Sequence, residues 1–325
     1  MADLFRFALV FASLCSFANA AVLHVGPKER YHAPSDAAAA AGDGDSVEIE
    51  AGTYRGDVAV WRANGLTLRG VNGRPVLDAS GQSAEGKAIW VIKGDFTTVD
   101  NIAFMGAKVR DGNGAGIRQE GRDLVVRHCL FRDNQEGLLS GANPQSSIYI
   151  EDTEFAHNGS GNGYSHNLYI GEIGKLVVKR SYMHDAVVGH NLKSRALENV
   201  VMDNRFADEK DGNSSYAAEF PNGGQVLFAF NVIQKGPKAE NLTLVSYGAE
   251  GLRASGNTFV AKGNTFINQH AMGGRFIFIA PKTQKTELIG NIFVGNGTVP
   301  DLPEIQQRNE FTMKLPGNAD WRPKM

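Results

Sequence analysis

Two short segments hold the residues best suited to chemistry. They are Ser165-His166-Asn167-Leu168-Tyr169 and Gly189-His190-Asn191-Leu192-Lys193-Ser194-Arg195, whose His-Asn-Leu cores stand 24 residues apart. Imidazole, ammonium, guanidinium and phenol groups repeated at one spacing suit proton transfer beside a carboxylate. Eliminative cleavage of a uronate needs a base, cations or hydrogen bonds for the growing enolate, and a proton for the departing glycosidic oxygen. On this reading Lys193 is the base, lowered by Arg195 and protonated histidine, and His190 or His166 is the alternative. Tyr169 or Tyr164 protonates the leaving oxygen, and Asn167, Asn191 and Arg195 hold the carboxylate. The competing reading makes the paired His-Asn an internal polar stack and Lys193 an ordinary solvated lysine.

These segments belong to a repeat that runs along the chain. An apolar run, a polar pair and a large apolar residue return at Val99–Phe104, Leu124–Phe131, Ile148–Phe155, Leu176–Met183, Val200–Phe206, Val226–Ile233, Gly256–Phe259 and Ile289–Phe293. Taking the last large residue as marker, the steps are 27, 24, 28, 23, 27, 26 and 34. A period near 25 with strand-like alternation gives each repeat room for three short strands and three turns, and helical or leucine-rich repeat signatures are absent. The expected fold is all-β: a right-handed, single-stranded parallel β-helix of about ten coils. Asn101, Asn204, Asn231, Asn257 and Asn291 precede the markers and fit a stacked turn, because asparagine tolerates the left-handed region.

Aligning the coils on Ile117, Leu138, Leu168, Leu192 and Phe220 as inward residues sets the expected outward columns by the two-residue period. One column is Gly116, Gly137, Asn167, Asn191 and Glu219. The next is Arg118, Leu139, Tyr169 and Lys193. Arg118, Tyr164 and Glu219 join the sugar contacts, and the early glycines leave a hollow. Glu219 has three candidate roles: binding a sugar hydroxyl, holding Lys193 or His190, or serving as a hydrolase acid. The polar stretches 158–165 and 207–216 are long enough to wall a groove.

Composition agrees with many turns and few helices. Glycine numbers 38 of 325 residues, roughly 12% against a usual ~7%. A net charge of −2 gives no footprint for nucleic acid. Residues 1–20 read as a cleavable leader ending at Ala18-Asn19-Ala20, which implies a secreted or periplasmic protein. No later stretch is long and apolar enough to span a membrane. Only Cys129 then remains, as a buried hydrophobe, so the mature chain has no internal disulfide. Residues 21–298 form the expected β-helix, and 299–325, with four prolines, an irregular tail. A monomer is expected. No cofactor or metal is implied: Asp208–Asn213 lacks calcium-loop spacing, which leaves calcium open without a motif, and His184-Asp185 lacks zinc-site spacing.

The N-terminal edge, Ser35-Asp36 with five alanines, Gly42-Asp43-Gly44-Asp45, an alternating strand and Gly52-Thr53-Tyr54, resembles the pectate-lyase-like right-handed parallel β-helix superfamily. The resemblance spans roughly residues 22 to 300. It implies the β-helix, with the helix near Asp36–Ala41 capping the first coil, and an anionic polysaccharide or oligosaccharide as substrate. The superfamily includes lyases, hydrolases, epimerases and esterases, so the fold alone leaves the chemistry open. A polysaccharide lyase is the expected activity. A glycoside hydrolase and a non-catalytic glycan-binding protein remain the alternatives. The hydrolase motifs with adjacent aspartates are absent from the chain.

Overall fold

The computed structural model describes residues 20–253, 255–301 and 306–315. The expected leader falls outside them except for Ala20. Successive turns of the chain lay strands in three parallel sheets, the first of twelve, the second of nine and the third of eleven strands among the described residues. One coil shows the order: Glu198–Met202 in the first sheet, Arg205–Ala207 in the third and Ala218–Phe220 in the second. The result is a right-handed parallel β-solenoid of about ten turns, as the repeat predicts.

Alternation builds the interior. In Ser46–Glu50, Val47 and Ile49 are buried while the polar residues between them are half-buried. Because in-register coils sit about 4.8 Å apart, identical positions stack directly. Phe104 lies 5.0 Å from Phe131, and Phe131 lies 4.8 Å from Phe155, with nearly parallel rings. Trp61 and Trp90, fully buried on the second sheet, pack edge-on against each other, and Trp90 packs edge-on against Phe104.

The corner between first and third sheets carries a side-chain ladder. Asn204 Oδ1 accepts the Ser181 N–H at 2.9 Å, Asn231 Oδ1 that of Asn204 at 3.0 Å, and Asn264 Oδ1 that of Asn231 at 2.9 Å. Asn291 and Asn309 continue it. Thr153 and Ser181 hold the same place in earlier coils with hydroxyls. Two expectations are corrected here. Asn257 lies outside the ladder and receives the Gly224 N–H; Asn264 takes the place, so the marker of that coil is Phe266, and the steps become 33 and 27. The left-handed residue is usually the one before the asparagine, as at Asp203 and Phe230. The amide is therefore chosen for its hydrogen bonds.

The first coil is capped by the helix Pro34–Ala40, with proline at its start. The N-cap residue is Ala33, and Asp36 reaches back to the His32 and Ala33 N–H groups at 3.1 Å each. The expected end of the solenoid at 298 is one coil early. Gln306–Gln307 and Glu310–Thr312 still pair with the first and third sheets.

Candidate active site

The second sheet positions the polar cluster. Its register places Arg118 beside Leu139, Leu139 beside Tyr169, Tyr169 beside Lys193, and Lys193 beside Glu219. Glu219 thus belongs to the lysine column. The alignment through Phe220 was two residues out, because Ala218 is the partner of Leu192 and both are buried.

The simple two-residue alternation also breaks where each strand begins. The chain turns there, so Asn167 and Leu168 both face inward, and the groove side is occupied at positions three apart: His166 with Tyr169, and His190 with Lys193. Asn167 and Asn191 are buried in a second internal ladder, where Asn158 Nδ2 donates to Asn167 Oδ1 at 2.8 Å and Asn167 Nδ2 to Asn191 Oδ1 at 2.7 Å. Their amides are spent on the fold, which corrects their expected contact with a substrate carboxylate. Gly116 and Gly137 likewise face the Phe131 and Phe155 rings and leave no outer hollow.

The paired histidines stack with ring centroids 4.5 Å apart. Gly189 makes that approach possible: a Cβ there would stand 1.8 Å from the Ser165 carbonyl oxygen. The His190 backbone N–H donates to His166 Nδ1 at 3.0 Å, leaving Nε2 to carry the ring proton. Burial first, then the nearby charges of His190, Lys193 and Arg195, holds His166 well below the ordinary histidine value. Burial also lowers His190, in spite of Glu219. His190 Nε2 faces Glu219 Oε2 at 3.1 Å, and its Nδ1 meets the Tyr216 N–H at 3.5 Å. Both imidazoles are therefore neutral and engaged, and neither offers the groove a free lone pair.

Lys193 lies between two carboxylates, 3.1 Å from Glu219 Oε2 and 2.9 Å from Glu250 Oε1. Burial works against its charge, yet Glu219 and Glu250 together raise its pKa above the lysine value. The expectation of a lowered, basic Lys193 is corrected: Arg195 points to the other oxygen of Glu250, 2.8 Å away, and the carboxylates outweigh it. Arg195 Nε also donates to Tyr169 Oη at 3.1 Å, and its Nη1 donates to Asn222 Oδ1. Against the cost of burial, Lys193 and Arg195 lower Glu250 to about 2, and His190 and Lys193 lower Glu219. Beyond the neutral His190, the face is a chain of alternating charge, Glu219–Lys193–Glu250–Arg195, with the Tyr169 phenol at its end.

Of the other expected residues, Arg118 shares the column, three coils from Lys193. Tyr164 is 84% exposed on the 159–165 loop, and no contact among the described residues ties it to the cluster. Sequence reasoning missed Glu250, Asn222, Tyr216 and Glu136. Glu250 and Asn222 sit in turns after second-sheet strands, 57 and 29 residues beyond Lys193, and only register brings them back. Glu136, buried below His166, accepts its N–H at 2.9 Å, and burial holds its carboxyl well above the usual range. Cys129 is buried as expected, its thiol pushed up to about 12 by burial.

No family model matches the chain, and no curated protein matches it in sequence. Solved structures do match in shape. The alginate lyase from Paenibacillus sp. str. FPU-7 superposes with a TM-score of 0.66 at 14% identity, covering 89% of this chain and 99% of that one. The pectin methylesterase PemA from Erwinia chrysanthemi gives 0.51 at 11% identity, over 94% and 98%. Another pectin methylesterase, in complex with hexasaccharide VII, gives 0.53 at 10% identity, over 93% and 98%. At these identities the likeness is one of fold, the right-handed parallel β-helix.

Proposed function

We propose that this protein is an extracytoplasmic polysaccharide lyase that cleaves a uronate-containing glycan by β-elimination. The observation that carries the reading is the Tyr169–Arg195–Lys193 arrangement on the outer face of the second sheet: a phenol oxygen bonded to a guanidinium, one coil from a lysine held as ammonium. A substrate carboxylate laid over Lys193 and Arg195 has its charge met as the adjacent carbon loses its proton. Tyr169 Oη, set against the Arg195 guanidinium, is the base that takes that proton. The electron pair forms the carbon–carbon double bond, the glycosidic carbon–oxygen bond breaks, and the Lys193 ammonium protonates the departing oxygen. These roles exchange the ones expected for Tyr169 and Lys193, because the two carboxylates keep the lysine charged.

Two-carboxylate hydrolysis is less well supported. It needs one carboxyl held protonated at the bond, whereas Glu219 and Glu250 are both lowered by their cations. Burial holds the Glu136 carboxyl well above the usual range, but it is only 1% exposed. A cavity of about 180 Å³ beside Arg195, lined also by Glu172, Asn222 and Arg253, offers room for part of a sugar. The test is a screen of acidic and neutral polysaccharides, following the ultraviolet absorbance of unsaturated uronate and, separately, new reducing ends. Absorbance that disappears in Tyr169→Phe and Lys193→Ala supports elimination at this site. Reducing ends without absorbance would replace the reading with hydrolysis, and binding with neither signal would make the protein a glycan-binding one.

A further inference from the structure

A second polar cluster lies on the third-sheet corner, away from the lysine column. His157 and Asp185 occupy the same left-handed corner position on successive coils, with φ of 54° and 51°. His184 precedes Asp185 and pairs in register with Ala156. One ligating atom from each of His157, His184 and Asp185 lies within 4.8 Å of the others. They line a cleft of about 670 Å³ that also holds the side chains of Glu154 and Glu209. We propose that this cleft binds one zinc-class divalent ion through His157, His184 and Asp185.

Three observations support the assignment. The mixture of two imidazoles and a carboxylate suits zinc and its neighbours, whereas calcium prefers oxygen alone. Both ring nitrogens of His184 face carboxylates, Nδ1 to Asp185 at 2.6 Å and Nε2 to Glu154 at 3.1 Å. With Nδ1 turned to the ion beside Asp185, Nε2 keeps Glu154 as the carboxylate partner that fixes the ring, as in carboxylate–histidine–metal triads. The cleft is also roofed by chain that the active site uses. Glu209 to Asn213 line it, Asp185 Oδ1 accepts the Glu209 N–H at 2.8 Å, and the same loop ends at Tyr216, whose N–H meets His190. An ion here would fasten two coils and one groove-walling loop together. Sequence spacing hides the site because its ligands are 27 and 28 residues apart, one coil.

The test uses the untagged protein, stripped with a chelator and titrated with zinc chloride by calorimetry, with cobalt chloride as an optical probe and calcium chloride as a comparison. One saturable zinc equivalent is expected per chain, with visible cobalt bands of low coordination number and no calcium binding in the cleft. His157 is exposed, so His157→Ala should fold normally, weaken zinc binding by at least tenfold and abolish the rise in Tm that zinc gives the parent. His128→Ala, an exposed histidine elsewhere, should change nothing. Absence of the zinc equivalent, its retention in His157→Ala, its equal loss in His128→Ala, or calcium binding in its place would each overturn the assignment.

Discussion

Replacing Glu219 with glutamine removes one of the two negative charges on Lys193 while keeping the side-chain shape. At the observed 3.1 Å the gross attraction is about 5 kcal/mol at an effective dielectric of ~20. Water and the remaining partners offset much of that, and a close opposite charge typically moves a pKa by about 1–3 pH units, or roughly 1.4–4 kcal/mol. The sign follows from the charge: without Glu219 the ammonium is less favoured and the lysine loses its proton at lower pH. If Lys193 acts as ammonium, the alkaline limb of kcat/KM should move down by about 1–3 pH units in Glu219→Gln. If Lys193 were the base, the same substitution would raise activity near neutrality. The assay is the pH profile of unsaturated-product formation in parent and variant, with far-ultraviolet circular dichroism confirming the fold. An unmoved alkaline limb, or a gain in neutral activity, would refute the assignment of Lys193 as the acid.

Arg195→Lys should lower kcat by about 10²-fold or more with a smaller change in KM, because a lysine cannot reach Tyr169, Glu250 and Asn222 together; equal kcat in steady-state kinetics would count against its role. Asn204→Ala strips Ser181 and Asn231 of ladder partners in a fully buried position and should cost about 2–4 kcal/mol in urea unfolding, whereas a loss under 0.5 kcal/mol would mean that the ladder is replaceable. Phe131→Ala opens the middle of the aromatic column and should cost about 3–5 kcal/mol by the same measurement. Glu250 is lowered from 4.5 to about 2, so its contribution is complete above pH 4.5 and fades as pH falls toward 2; in acid titrations of Tm, Glu250→Gln should lose less over that window than the parent.

The coil, its period and most of its buried residues are legible in the sequence because a solenoid core depends on local alternation repeated at near-constant spacing. Phe104, Phe131 and Phe155 recur where any three-strand coil would stack them, and Trp90 and Cys129 are buried as their neighbours imply. The same periodicity placed Tyr169 beside Lys193 correctly. It failed wherever a turn changed the count. One bend before each second-sheet strand sends both Asn167 and Leu168 inward, and a coil of different length displaces Glu219 by two residues. Protonation was further out of reach. The state of Lys193 depends on Glu250, 57 residues later, and on the register that returns it across two coils. Charge acts through a few ångströms of space, whereas sequence reports distance along the chain. The sequence by itself therefore determined the solenoid and the coils that carry the polar groups, and the tertiary structure alone decided which groups face one another, which are buried, and which hold their protons.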